Sequence, residues 1–103
     1  MPKFYDVVKI RKATNCPTCQ SFIYQLPIPM TASIEAFLAV FGQTQFPLDK
    51  FKVILVDNET VMIGGQIGRT ELKIKYKKNT ESLKVLVQAT LTNWLVGQNI
   101  QIE

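Results

Sequence analysis

The segment Phe51–Lys78 constrains the fold most, because it has the pattern of three strands joined by two tight turns. Residues 51–56 are apolar at every position except Lys52, which is typical of a strand covered on both faces. Residues 57–60, Asp-Asn-Glu-Thr, favour a turn because Asp and Asn side chains hydrogen-bond to the nearby backbone. A second apolar run follows directly. We therefore expect an antiparallel meander, around which the rest of the chain packs.

The glycine-rich residues 64–69, Gly-Gly-Gln-Ile-Gly-Arg, interrupt the second strand of this meander. We interpret them as a β-bulge followed by a hairpin turn at Gly68-Arg69, in which Gly68 takes a positive φ. Glycine-rich loops can also hold phosphate groups, but such loops lead into the N-terminus of a helix. Here a strand follows. The sequence favours a bulge and a turn, and we expect no cofactor.

The third strand, residues 70–77, alternates between apolar and charged positions. Leu72, Ile74 and Tyr76 are expected on one face, and the charged residues on the other. We call Lys73, Lys75 and Lys77 the lysine stripe; successive members would lie about 6.8 Å apart along a strand. Arg69 precedes this strand and adds a further positive charge.

The N-terminal part of the chain has the pattern of a β-hairpin. Residues 4–12 and 22–28 alternate as strands do, and residues 13–19 have turn composition. Pro27 and Pro29 cannot donate hydrogen bonds to a neighbouring strand, so the second strand must lie at an edge or leave the sheet at its end.

A first helix is expected at residues 32–41, with Thr31 as its N-cap and Gly42 in the left-handed position after its end. Its apolar residues recur with the helical period, and they would form one buried face. The members of this face are Ile34, Phe37, Leu38 and Phe41.

A second helix is expected to begin at Asn79 or Thr80 and to end at Gly97, with Trp94 on its long apolar stripe. Residues 98–103 alternate weakly and favour a short additional strand over a tail. The predicted fold class is α+β: an N-terminal β-hairpin, a helix, a three-stranded antiparallel meander and a C-terminal helix, with both helices on one face of the sheet.

Length and composition indicate one domain covering residues 1–103, with 47% hydrophobic and 19% charged residues. The longest apolar run, residues 36–41, is too short to span a bilayer, and the N-terminus lacks the apolar core of a signal peptide. An intracellular, cytoplasmic location without membrane contact is therefore expected. The net charge of +4 gives a mild basicity.

Cys16-Pro17-Thr18-Cys19 is the sharpest short motif. It resembles the CxxC motif of thioredoxin and glutaredoxin proteins, and the apolar residues 7–10 before it fit the strand that precedes that motif. The resemblance implies a redox function for Cys16 and Cys19. A reactive thiolate needs a helix N-terminus after the first Cys, whereas residues 20–29 alternate like a strand. A zinc site needs four ligands, and the chain has two cysteines and no histidine. A turn with two incidental thiols is the interpretation that the sequence favours, and we expect no bound metal.

The absence of histidine removes the commonest general base, and none of the eight carboxylates forms an obvious catalytic pair. We therefore do not expect an enzyme. The expected function is a non-enzymatic protein-interaction or assembly module that uses its sheet surface. If Val53 and Leu55 face the helices, Ile54 and Val56 emerge beside the lysine stripe as an apolar strip. Either the N-terminal hairpin covers this strip within the chain, or the strip marks a surface for a protein partner or a second copy.

Two other functions stay open. A nucleic-acid-binding domain could use Arg69 and the lysine stripe along a phosphate backbone, although single-strand binders usually also present aromatic side chains for stacking. Lysines on an outer strand also have a structural explanation, because they prevent pairing of sheet edges. A thiol redox protein is the third hypothesis.

Overall fold

The structure is a computed structural model, and it describes residues 2–14, 20–47, 49–78 and 80–102. The strands form one antiparallel sheet in the order β1-β2-β5-β4-β3. The predicted α+β fold, with its N-terminal hairpin, meander and C-terminal helix, is confirmed. The elements in chain order are α1 (Phe4–Val7), β1 (Lys9–Lys12), β2 (Ser21–Gln25), a 3-10 turn (Ala32–Ile34) leading into α2 (Glu35–Ala39), a second 3-10 turn (Asp49–Phe51), β3 (Val53–Asp57), β4 (Val61–Gln66), β5 (Glu71–Tyr76) and α3 (Thr80–Gly97).

The core lies between one face of the sheet and the helices. β5 shows the predicted alternation, with Leu72, Ile74 and Tyr76 buried and the charged residues between them exposed. On α3, the buried residues are Val87, Leu91, Trp94 and Leu95, which recur with the helical period. We call this side the helix face of the sheet and the opposite side the outer face. None of the described helices has the length and apolar character needed to cross a bilayer.

The N-terminal strand is shorter than predicted, because residues 4–7 form a helical turn. The Asp6 carboxylate accepts a hydrogen bond from the Lys3 backbone N–H at 3.0 Å, and the Val8 N–H donates to the Phe4 carbonyl at 2.8 Å. Phe4 and Val8 are both buried. Their separation of four residues is a helical spacing, and the strand interpretation overlooked it.

Of the two alternatives predicted for the end of the second strand, an edge position or departure from the sheet, the structure shows departure. β2 ends at Gln25, before Pro27. The following segment lies beside the β4–β5 turn, where the N–H groups of Leu26 and Met30 donate to the carbonyls of Thr70 and Arg69, both at 2.8 Å. Pro27 and Pro29 are tolerated in this segment because the N–H groups of the flanking Leu26 and Met30 donate these hydrogen bonds.

The first predicted helix is confirmed in position, although its first turn is a 3-10 turn. The left-handed conformation predicted for Gly42 is wrong, since Gly68 is the only glycine of the described residues with a positive φ. The helix end is satisfied differently: the Asn58 side chain donates to the Phe41 carbonyl at 2.9 Å. A Cβ atom at Gly42 would lie 2.7 Å from Asn58 Nδ2, so glycine permits this close contact.

The predicted bulge at Gly64-Gly65 is also wrong, because β4 pairs with β3 in an unbroken register from Met62 to Gln66, while its pairing with β5 ends at Gly64. Gly65 instead makes room for Met30, whose Cε atom would lie 2.8 Å from a Cβ atom at this position. The turn prediction is confirmed, since Gly68 has a φ of 92°.

The C-terminal residues 98–102 do not form the predicted strand. Asn99 has a φ of 67°, and the Ile100 N–H donates to the Leu95 carbonyl at 3.0 Å. This is the hydrogen-bond pattern of a Schellman motif, in which Asn99 takes the left-handed position after the helix. The chain then returns to the core, where Ile102 is buried.

Candidate functional site

The apolar strip predicted beside the lysine stripe does not exist. Ile54 and Val56 are each only 1% exposed and lie on the helix face, while Val53 and Leu55 point to the outer face. The prediction assigned the two faces of β3 the wrong way round. Four successive apolar residues leave the phase of the alternation undetermined, so the sequence could not decide between the two arrangements.

The outer face nevertheless has apolar side chains, and no element of the described residues covers it. Antiparallel register places Arg11, Ile23, Lys73, Gly64 and Leu55 in one row across the sheet. No described residue of the outer face is fully buried, and none of its side chains is aromatic. Its half-buried apolar residues are Ile23, Val53, Leu55 and Met62.

The members of the lysine stripe differ in their surroundings. Lys77 Nζ donates to Asp57 Oδ1 at 2.7 Å and to the Asn58 carbonyl at 2.9 Å. Lys73 and Lys75 are exposed, and neither takes part in the ion pairs found among the described residues. The stripe therefore contributes to the outer face two lysines that lie outside these ion pairs, and not three.

A second ion pair lies near these lysines. Arg11 Nη2 donates to Glu71 Oε2 at 2.7 Å, and this hydrogen bond lowers the pKa of the Glu71 carboxyl. Arg69, the remaining predicted surface residue, lines a shallow depression of about 430 Å³ together with Gly64 and Lys73. The depression exists because Gly64 has no side chain to fill it.

Cys16 and Cys19, for which the thioredoxin resemblance implies a redox function, lie outside the described residues. Among the residues that are described, no group of three acidic, cysteine or histidine side chains could hold a metal ion.

A deeper pocket that the sequence did not predict opens on the helix side of the sheet. Its volume is about 500 Å³, and it lies between α1, the β1–β2 hairpin and α3. The lining residues are Phe4, Tyr5, Val8, Lys9, Ile10, Phe22, Tyr24, Lys84 and Gln88. The lining residues Phe4 and Gln88 are 84 positions apart in the chain, so no local motif could reveal the pocket. The alternation of Phe22 and Tyr24 was the only part of it that the sequence pattern showed.

A buried pair of hydroxyl groups lies beside this pocket. Tyr24 Oη and Tyr76 Oη are 2.6 Å apart and share a hydrogen bond. Burial raises the pKa of both phenols, so both stay neutral at ordinary pH. Each hydroxyl satisfies the other, and the described residues contain no buried side-chain polar atom without a partner.

No protein-family model, curated protein or solved structure matches this chain.

Proposed function

We propose that the chain is a non-enzymatic interaction module whose outer face binds another protein. The observation that carries this proposal is the uncovered outer face, which combines half-buried apolar residues with two unpaired lysines. Partly exposed apolar side chains interspersed with charged ones on an uncovered surface are typical of a protein-binding site.

Charge favours an acidic partner over a second copy of the chain. The outer face carries Arg11 and the lysine stripe against the carboxylates of Asp57 and Glu71. Two copies meeting through this face would bring like charges together, which disfavours association. An acidic surface would instead be attracted to Lys73 and Lys75, and the depression over Gly64 could accept one of its side chains.

A nucleic-acid backbone is the second candidate, favoured by Lys73, Lys75 and Arg69. Two observations weigh against it. Lys77 is already paired with Asp57, and the strand residues of the outer face that the structure describes include no aromatic ring for a base to stack on.

Site-specific photocrosslinking in the native host tests the proposal. A photoreactive amino acid at Met62 lies on the outer face, whereas the same group at Leu86, 42% exposed on α3, provides the matched control. We expect one crosslinked protein of defined mass from position 62 and none from position 86. The double reversal Lys73→Glu/Lys75→Glu should abolish this crosslink without changing the circular dichroism spectrum.

Equal crosslinking from both positions, or a product insensitive to the charge reversal, would overturn the proposed surface. A crosslinked dimer of the chain would instead show that a second copy is the partner.

A further inference from the structure

The pocket on the helix side has walls from four elements, of which β1 contributes Ile10. α1 contributes Phe4 and Tyr5, β2 contributes Phe22 and Tyr24, and α3 contributes Lys84. Its volume of about 500 Å³ falls within the usual range for small-molecule sites. It lies on the opposite side of the sheet from the outer face, so its function is independent of the proposed protein interaction.

The walls suit a flat apolar molecule. The rings of Phe4 and Tyr5 pack edge to face with centroids 5.2 Å apart, and the Phe22 ring is 6.1 Å from that of Tyr76. Aromatic surfaces of this kind stack on other aromatic bodies without large reorganisation, because the rings are already held in place.

The charges that line the pocket have one sign. Lys9 and Lys84 are its cationic residues, and no carboxylate from the described part of the chain lines it. Lys84 Nζ lies 4.9 Å from the centroid of Phe22 and 5.9 Å from that of Tyr76. Neither lysine takes part in the ion pairs of the described residues, so the ammonium of Lys84 is held by aromatic faces and not by an anion.

The neutral polar groups have a defined orientation. Tyr5 Oη donates to Gln88 Oε1 at 3.0 Å, which leaves the amide nitrogen of Gln88 as a donor. Lys9 Nζ donates to the Tyr5 carbonyl at 3.3 Å, which ties α1 to the start of β1. The polar groups of the pocket are thus mainly donors, and its walls are apolar.

We propose that this pocket binds a small organic anion, with a flat apolar body against Phe22 and a carboxylate or sulfonate beside Lys84. An anionic group supplies hydrogen-bond acceptors for the donors that line the pocket. A neutral molecule of the same shape would fill the walls but leave the Lys84 charge without a counter-ion.

Calorimetric titration with 2-naphthoate, compared with the neutral 2-naphthamide, tests this proposal. We expect 2-naphthoate to bind at least tenfold more tightly. Lys84→Met keeps the unbranched apolar stem and removes the charge, so it should reduce 2-naphthoate affinity at least tenfold and leave 2-naphthamide affinity unchanged. Lys73→Met on the outer face is the matched control and should change neither affinity.

Backbone amide chemical shifts give the location independently of affinity. The largest changes on adding 2-naphthoate should occur at Ile10, Phe22 and Gln88. Equal affinity for the two compounds, no detectable binding of 2-naphthoate at millimolar concentration, or an unchanged affinity of Lys84→Met would overturn the proposal.

Discussion

The two faces of the sheet are made by the same five strands but differ sharply in burial. All buried strand residues of the described chain, such as Ile63 on β4 and Ile74 on β5, lie on the helix face. Their neighbours on the outer face, such as Met62 and Lys73, are half-buried or exposed. The helix face thus provides the burial that stabilises the fold, while the outer face is available for contacts with other molecules.

The largest expected effect is on the helix face, at Trp94. This side chain is 7% exposed, and its Nε1 donates to Ser33 Oγ at 3.0 Å, which joins α3 to the segment before α2. Trp94→Ala should reduce the free energy of unfolding by about 3–5 kcal/mol, measured by urea denaturation. Val96→Ala on the same helix, where the side chain is 52% exposed, should change it by less than about 0.5 kcal/mol. A loss below about 1 kcal/mol for Trp94→Ala would contradict the assignment of the helix face.

Two adjacent glycines of β4 lie on opposite faces of the sheet, so substitutions at these positions compare the packing of the two faces directly. A Cβ atom at Gly65 would lie 2.8 Å from Met30 Cε in the core, whereas a Cβ atom at Gly64 would make an ordinary contact of 3.6 Å with Leu55 Cδ1. Gly65→Ala should therefore destabilise the protein by about 1–3 kcal/mol. Gly64→Ala should be neutral, or stabilise by up to about 1 kcal/mol, because it restricts the unfolded chain. Equal effects in urea denaturation would show that the two faces are packed alike.

The tyrosine pair tests the polar part of the helix face. Tyr76→Phe leaves the buried Tyr24 hydroxyl without its partner and should cost about 1–3 kcal/mol. The double variant Tyr24→Phe/Tyr76→Phe should cost less than the sum of the two single variants, because no unpaired hydroxyl remains. Additive effects in this double-mutant cycle would contradict the shared hydrogen bond.

The same pair predicts a loss of stability at alkaline pH. Burial raises both phenol pKa values from the ordinary value of 10.0. Above that pH the unfolded chain releases phenol protons that the folded chain retains, so the free energy of unfolding falls as the pH rises. Wild type should lose more stability than the double phenylalanine variant between about pH 10 and pH 11. Parallel pH profiles would show that the pair is not coupled to folding.

The sequence predicted the buried face of a strand correctly only where apolar and polar residues alternate. β5 alternates between charged and apolar residues, so its buried face was predicted correctly. β3 is apolar at Val53 through Val56, and the choice of face failed there. The role of Gly65 depends on Met30, thirty-five positions away, and no local rule could supply that contact.

The candidate sites likewise contain some residues that local alternation predicts and others that only long-range contacts bring together. Lys73 and Lys75 were predicted on the outer face because they belong to the alternating strand. The pairing of Lys77 with Asp57 depends on the order of strands in the sheet, and the aromatic pocket depends on the packing of α1 against α3. These are tertiary contacts, which the local periodicity of the sequence does not reveal.

The smallest expected effect concerns nucleic-acid binding by the outer face. Wild type should bind single- and double-stranded oligonucleotides no more tightly than about 10 μM at physiological salt, the range of non-specific association. Changing Lys73, Lys75 and Lys77 to Gln should therefore alter fluorescence anisotropy titrations little. Submicromolar affinity that falls steeply with salt and disappears in the triple variant would favour the nucleic-acid function over the protein interaction.

The central claim is that the outer face is uncovered in the isolated chain, and methionine oxidation tests it most directly. Met62 lies half-buried on the outer face, while Met30 is 1% exposed in the core. Under dilute hydrogen peroxide, with the products followed by mass spectrometry, Met62 should oxidise rapidly and Met30 only as fast as the protein unfolds. Protection of Met62 equal to that of Met30 would contradict the account, because the outer face would then be covered within the chain itself.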